Sequence, residues 1–150
     1  MGFIEGFVNG FARAVAGGRI ERLCSDLGWG IDERKGKTLG LLFNCPIVGK
    51  RMVYIANGDE PLVLFAIYSS AVFDPRRVPD TATNFALVQN DKAAMGKWEV
   101  TLEGDDLLFR LAYTALGDGL TAAAVKFICN DMTKTAGEFD AKMRREGYLR

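Results

Sequence analysis

The sequence predicts an α+β fold: an antiparallel five-stranded sheet with packed helices, in the order α-β-β-β-α-β-β-α, preceded by an extra amphipathic N-terminal helix. Three observations carry this expectation. Strand-like segments come in a run of three and a run of two, each run tied by short turns, and such runs build antiparallel sheets. Segments with apolar residues every three to four positions open, divide and close the chain. A length of 150 residues is one domain, large enough to bury roughly 68–70% of the surface its unfolded chain exposes.

The N-terminal stretch MGFIEGFVNGFARAVAGG places Phe3, Phe7 and Phe11 at helical spacing, with Ile4 and Val8 alongside. Gly2, Gly6 and Gly10 weaken that helix by about 1 kcal/mol each relative to alanine, so it needs a surface to lie on. Glu5, Asn9 and Arg13 interrupt the apolar run, which excludes a membrane span. Residues 1–17 are therefore expected as a separate amphipathic helix before a domain spanning 18–150.

Gly17-Gly18 breaks the chain. RIERLCSDLGWG then puts Ile20, Leu23, Cys24 and Leu27 on one helical face, with Gly28 as the stop. IDERKGK is polar and glycine-punctuated, and reads as a loop. TLGLLFNCP alternates and closes at Pro46. KRMVYIANGDE is a strand running into the turn signal Asn57-Gly58-Asp59. LVLFAIYSS is apolar on both faces, so both faces call for cover.

After the proline-containing loop FDPRRVPD, a helix is expected from Asp80 or Thr81 to about Ala94, with Gly96 beyond it. GKWEVTLEGDDLLFRLAY reads as a hairpin. Lys97, Glu99, Thr101 and Glu103 form its wet face, Trp98, Val100 and Leu102 its buried face, and Gly104-Asp105 the turn. A terminal helix keeps its apolar spacing from Leu120 through Met143. Asp118 lies near its start, and Gly137 is a candidate bend.

Composition narrows the chemistry. Nineteen basic residues balance nineteen acidic ones, without the basic excess of a nucleic-acid binder. There is no histidine, which removes Ser-His-Asp and Cys-His nucleophiles and the commonest near-neutral base. Cys24, Cys45 and Cys129 are scattered and odd in number, arguing against a disulfide framework or a zinc site and for a reducing cytoplasm. Glu103, Asp105 and Asp106 fit a turn better than a metal site. Gly36-Lys37-Thr38 leads into a strand and not a helix, so it is no phosphate loop. No catalytic residue, metal or cofactor is expected.

In this arrangement the chain from about Arg19 to Gly147 resembles the YbjN family and the related type III secretion chaperone-like fold. The resemblance is carried by MVYIANGDEPLVLFAIYSS, by the helix TATNFALVQND with Asn84 and Asn90, by GKWEVTLEGDDLLFRLAYTALGDGL and by the long terminal helix. It implies a compact sheet-and-helix module that acts by binding protein, often as a dimer. No enzymatic residues belong to the family. The chain departs from secretion chaperones in its neutral charge and in residues 3–16, which lie outside the shared pattern.

The expectation is a cytoplasmic, non-enzymatic module that binds a protein partner or a second copy through apolar surface. Phe3, Phe7, Phe11, Val63, Phe65 and Ile67 are its candidate contact residues. The alternative is a small-molecule-binding domain or a histidine-free enzyme built on Lys97, Glu99, Glu103 and Arg110.

Overall fold

A computed structural model describes residues 18–57 and 61–149. The expected N-terminal helix, with Phe3, Phe7 and Phe11, lies outside the described residues, as does most of the Asn57-Gly58-Asp59 turn. The elements run α1 (Gly18–Asp26), β1 (Glu33–Lys35), β2 (Thr38–Cys45), β3 (Gly49–Asn57), β4 (Leu62–Phe73), α2 (Asp80–Lys92), β5 (Lys97–Glu103), β6 (Asp106–Leu116), a 3-10 turn (Gly117–Gly119) and α3 (Ala122–Arg145). One sheet contains all six strands in the order β1-β2-β3-β4-β6-β5, and every pairing is antiparallel.

The sixth strand is β1, cut from the segment that reads as a loop. Gly36 turns the chain at φ 58, so that Lys35 pairs with Thr38 and Arg34 with Leu39. The Asp32 carboxylate accepts the Leu42 N–H at 2.8 Å, and Arg34 pairs with Glu21 of α1. An edge strand fixed by polar contacts needs no apolar alternation, and so it gives no strand signal.

The described helices pack on one face of the sheet. Ile20 and Cys24 of α1, Ala82 and Ala86 of α2, and Val125, Ile128, Met132, Ala136, Phe139 and Met143 of α3 share one core with Leu39, Leu41, Val53, Ile55, Phe65 and Leu111. Phe139 is its aromatic hub, with ring centroids 4.5 Å from Trp98, 5.1 Å from Phe109 and 6.2 Å from Phe85. Gln89 accepts the Trp98 indole N–H at 2.7 Å, and Asn90 accepts the Trp98 backbone N–H at 2.6 Å. Those bonds fix α2 over the start of β5 only. Beyond Trp98, Val100 and Leu102 are therefore exposed, where the alternation alone predicts burial.

Helix ends follow local chemistry. Gly28 (φ 73) closes α1, with Gly28 N–H donating to Ser25 O and Trp29 N–H to Cys24 O. Gly147 (φ 84) closes α3 by the same pair of bonds, to Arg144 O and Met143 O. Both satisfy orphan carbonyls with a left-handed glycine. At the start of α3 the cap is Thr121, whose hydroxyl accepts from Ala124 N–H, while Asp118 sits in the preceding 3-10 turn. Pro79 precedes α2, so Asp80 is its first helical residue. Gly137 marks a close approach: a side chain there would collide with the Cys45 sulfur.

Midway along β4 the ladder is irregular. Four steps of β4, Tyr68 to Val72, run against two of β6, Arg110 to Leu108. The two extra residues preserve which side chains face the helices. Asp140 of α3, fully buried, accepts the Ser69 hydroxyl at 2.5 Å, the Ser70 N–H at 3.1 Å and the Arg51 guanidinium at 2.7 Å. The carboxylate thus binds two strands to the helix and takes up an N–H in the bulged stretch. Replacing one member of a buried pair strands the other. Asp140→Ala is expected to lower unfolding stability by about 3–5 kcal/mol in urea titrations. Adding Arg51→Met should recover part of that loss, because a mostly buried guanidinium is then no longer left without its carboxylate.

Candidate functional site: the sheet face away from the helices

Strand alternation assigns each residue of β4 to a side. Val63, Phe65 and Ile67, the expected contact residues, fall in the main core beneath the helices. The outward row of the same strand is Leu62, Leu64, Ala66, Tyr68 and Val72. The sequence shows both rows to be apolar, but the side taken by the helices depends on tertiary packing.

Registers extend this outward row across the sheet. Leu62 stands opposite Leu116, Leu64 opposite Thr114 and Ala66 opposite Ala112 on β6. Ala66 also stands opposite Tyr54 and Leu64 opposite Ala56 on β3, and Met52 pairs with Leu42 of β2. Ala56, Leu64 and Ala66 form a second buried cluster, bordered by Tyr54, Tyr68 and Ala112. This cluster contains only sheet residues. The Tyr54 and Tyr68 rings meet edge-on at 6.2 Å. Around it, Leu42, Leu62, Val72 and Leu116 are exposed, Leu116 by 63%.

Charged groups frame this apolar centre. Glu33 lies beyond β2 on the first edge strand. On the far edge Lys97, Glu99, Thr101 and Glu103 of β5 share the outward side with Arg110. Arg110 donates to Glu99 at 2.7 Å, and Lys97 donates to the backbone carbonyl of Asn90 at 2.5 Å. The four residues of the enzyme alternative thus share one side of the hairpin, at the margin of the apolar area. The framing is that of a contact patch, apolar inside and polar at the rim.

Burial raises both tyrosine hydroxyls on this face. Tyr54 is pushed up to about 12, chiefly by loss of solvent and further by Glu33 and Tyr68. Tyr68 is raised by burial against the opposing pull of Arg110. Two thiols are raised in the same way: Cys24 to about 11 through burial, and Cys129 further. All three cysteines are free and buried, a poor setting for nucleophiles.

Two concavities among the described residues lie elsewhere and are open to solvent. One of about 450 Å³ lies along α3 between Lys126, Phe127, Asn130 and Lys134. Another, of about 740 Å³, lies at the hairpin end between Asp74, Arg76, Leu102 and Asp106. Arg76, part of the exposed arginine pair of the 73–80 loop, bonds with Asp74 there. Among the described residues no group of three acidic, cysteine or histidine side chains could hold a metal ion. No described helix is long and apolar enough to cross a membrane.

The Tyr54 shift gives a pH dependence of definite sign. An acid whose proton is held more tightly in the folded state stabilises that state until the unfolded chain begins to lose it. Stability contributed by Tyr54 is therefore complete below the ordinary phenol value of 10.0 and is lost as pH rises toward 12. In alkaline urea titrations Tyr54→Phe should flatten the fall in stability across that window, and an ultraviolet titration should lose its latest phenol.

No protein-family model matches the chain, and no curated protein matches it. Solved structures do. YbjN from E. coli superposes with a TM-score of 0.64 at 16% identity, over 91% of this chain and 98% of that one. A chain from the HopA1–SchA chaperone–effector complex superposes with a TM-score of 0.57 at 8% identity, over 79% of this chain and 88% of that one. The described sheet, with the described helices on one side of it, is thus a YbjN-like, chaperone-like fold.

Proposed function

We propose that the protein is a non-enzymatic binding module that holds an apolar segment of a partner chain, or of a second copy, on the outward face of its sheet. The observation that carries this reading is the apolar area running from Leu42 and Met52 through Tyr54, Leu64 and Tyr68 to Leu116, over which no described helix passes. Burying such area contributes about 25 cal/mol per Å² before the costs of association. The charged rim supplies register more than affinity. The likeness to a chain of a chaperone–effector complex supports a protein as the ligand. Three free, buried thiols suit a reducing compartment such as the cytoplasm. The competing enzyme reading draws no support from Glu99 and Arg110, which neutralise each other on an open strand pair.

Site-specific photo-crosslinking in cells tests the proposal. A photoreactive side chain at Leu42, Val72 or Leu116 should give a discrete band, at the mass of two copies or of one copy plus a partner. Leu62→Glu should abolish it by placing a charge in the contact area. Bands from Lys126 on the helix side, with none from the three outward positions, would refute the assignment of the face.

A further inference from the structure

We infer that the free edge of β5 takes an extended segment of another protein as an added strand, apolar toward the helix side and basic where it passes the β5–β6 turn. This edge is a different surface from the outward face, and the inference stands without it.

The two edges of the sheet are unlike. β1 is three residues long, and Glu33, Arg34 and Lys35 are all charged, which makes it a short, charged edge that discourages further pairing. β5 runs for seven residues in unbroken register with β6, from Lys97 opposite Ala112 to Glu103 opposite Asp106. No described strand pairs with its other side. Val100 and Leu102, on its helix side, are 58% and 65% exposed.

Asn90 reveals which backbone groups the edge offers. Its side-chain oxygen accepts the Trp98 N–H at 2.6 Å, and its amide nitrogen donates to Trp98 O at 3.1 Å. Those are the two bonds a neighbouring strand would make, so Trp98 turns its N–H and C=O away from β6. By alternation along an antiparallel pair, Val100 and Leu102 do the same, while Glu99 and Thr101 bond β6. The edge is therefore plugged at Trp98 and open at the N–H and C=O groups of Val100 and Leu102. Strand addition uses such main-chain groups for affinity and alternate side chains for specificity.

Charge selects the occupant. Past Leu102 the edge runs into the hollow that Asp74, Arg76, Asp105 and Asp106 line. Arg76 is engaged by Asp74. The described residues pair no cation with Glu103, Asp105 or Asp106. These carboxylates favour a lysine or arginine on the incoming strand. A second copy fits poorly. Setting Val100 opposite Val100 of another copy would drive Leu102 into the place of Asn90. Sliding that register by two or four residues sets Glu99 opposite Glu103 or Asp105 of that copy, and like charges directly opposite are destabilising.

Amide exchange of the full chain, followed by NMR, is the first test. Val100 and Leu102 should exchange at least about a hundredfold faster than Glu99 and Thr101. Fluorescence anisotropy then uses labelled peptides of alternating valine and threonine with two lysines at one end or the other. One of the two should bind and slow exchange at Val100 and Leu102 by at least about tenfold. Its counterpart with glutamates in place of the lysines should bind at least about tenfold more weakly. Val100→Pro removes an N–H that the β6 ladder does not use, and should abolish binding while unfolding stays cooperative. Leu102→Lys makes no demand on the backbone and should weaken binding several-fold by setting like charges together.

Protection of Val100 and Leu102 in the free chain at every concentration would overturn the inference, since the edge would then be filled from within the chain. Protection that grows with protein concentration would overturn it by assigning the edge to a second copy. Binding of neither lysine peptide, equal binding of the glutamate peptide, or undiminished binding by both variants would do the same.

Discussion

A buried carboxylate on the last helix is the constraint on which the fold depends. Asp140 meets the sheet where β4 departs from regular pairing, and one side chain accepts from Ser69, Ser70 and Arg51. Without it, the bulged stretch would leave a hydroxyl and an N–H unpaired beneath an apolar layer, and each such group costs about 1–3 kcal/mol. With it, α3 is held at one position over the two central strands. That position decides which residues surround Phe139, and the hub in turn seats α2 through Trp98. Gly137, three residues before Asp140, lets the helix approach β2 at Cys45. The polar anchor and the close approach therefore fix the same stretch of helix.

Seating every described helix on one side has a cost on the other. A sheet strand presents a second row of side chains whether or not anything covers it, and here that row is apolar at its centre and charged only at its margins. Monomeric proteins rarely leave large apolar patches open. The proposed binding face follows from that asymmetry, as does the tightness with which the two tyrosines on that face hold their protons.

Much of the architecture was legible in the sequence because it is written in period and punctuation. The 3-to-4 spacing of α3, the glycine stop at Gly28 and the alternating hairpin each rest on local chemistry. β1 escaped because its three residues are held by Arg34, Asp32 and a glycine turn and carry no apolar row. The exposure of Val100 and Leu102 escaped because it depends on where α2 ends, which is fixed by Asn90 and Gln89 bonding Trp98. The candidate site was half legible: alternation identifies β4 as two-faced, but only packing reveals that Val63, Phe65 and Ile67 belong to the helix side. Asp140 carries no signal in a single sequence, since an acidic residue on a helix reads as solvated until its partners, 70 to 89 residues away, are known.

Those separations also bear on how the chain is made. β2 through β6 precede α3, so the sheet is synthesised before the helix that covers its inner face and before the carboxylate that completes its bulge. Until α3 emerges, a nascent chain carries an unfinished core whose inner row of Val63, Phe65 and Ile67 has no lid. Long-range closure of this kind slows folding and leaves sticky intermediates open to aggregation.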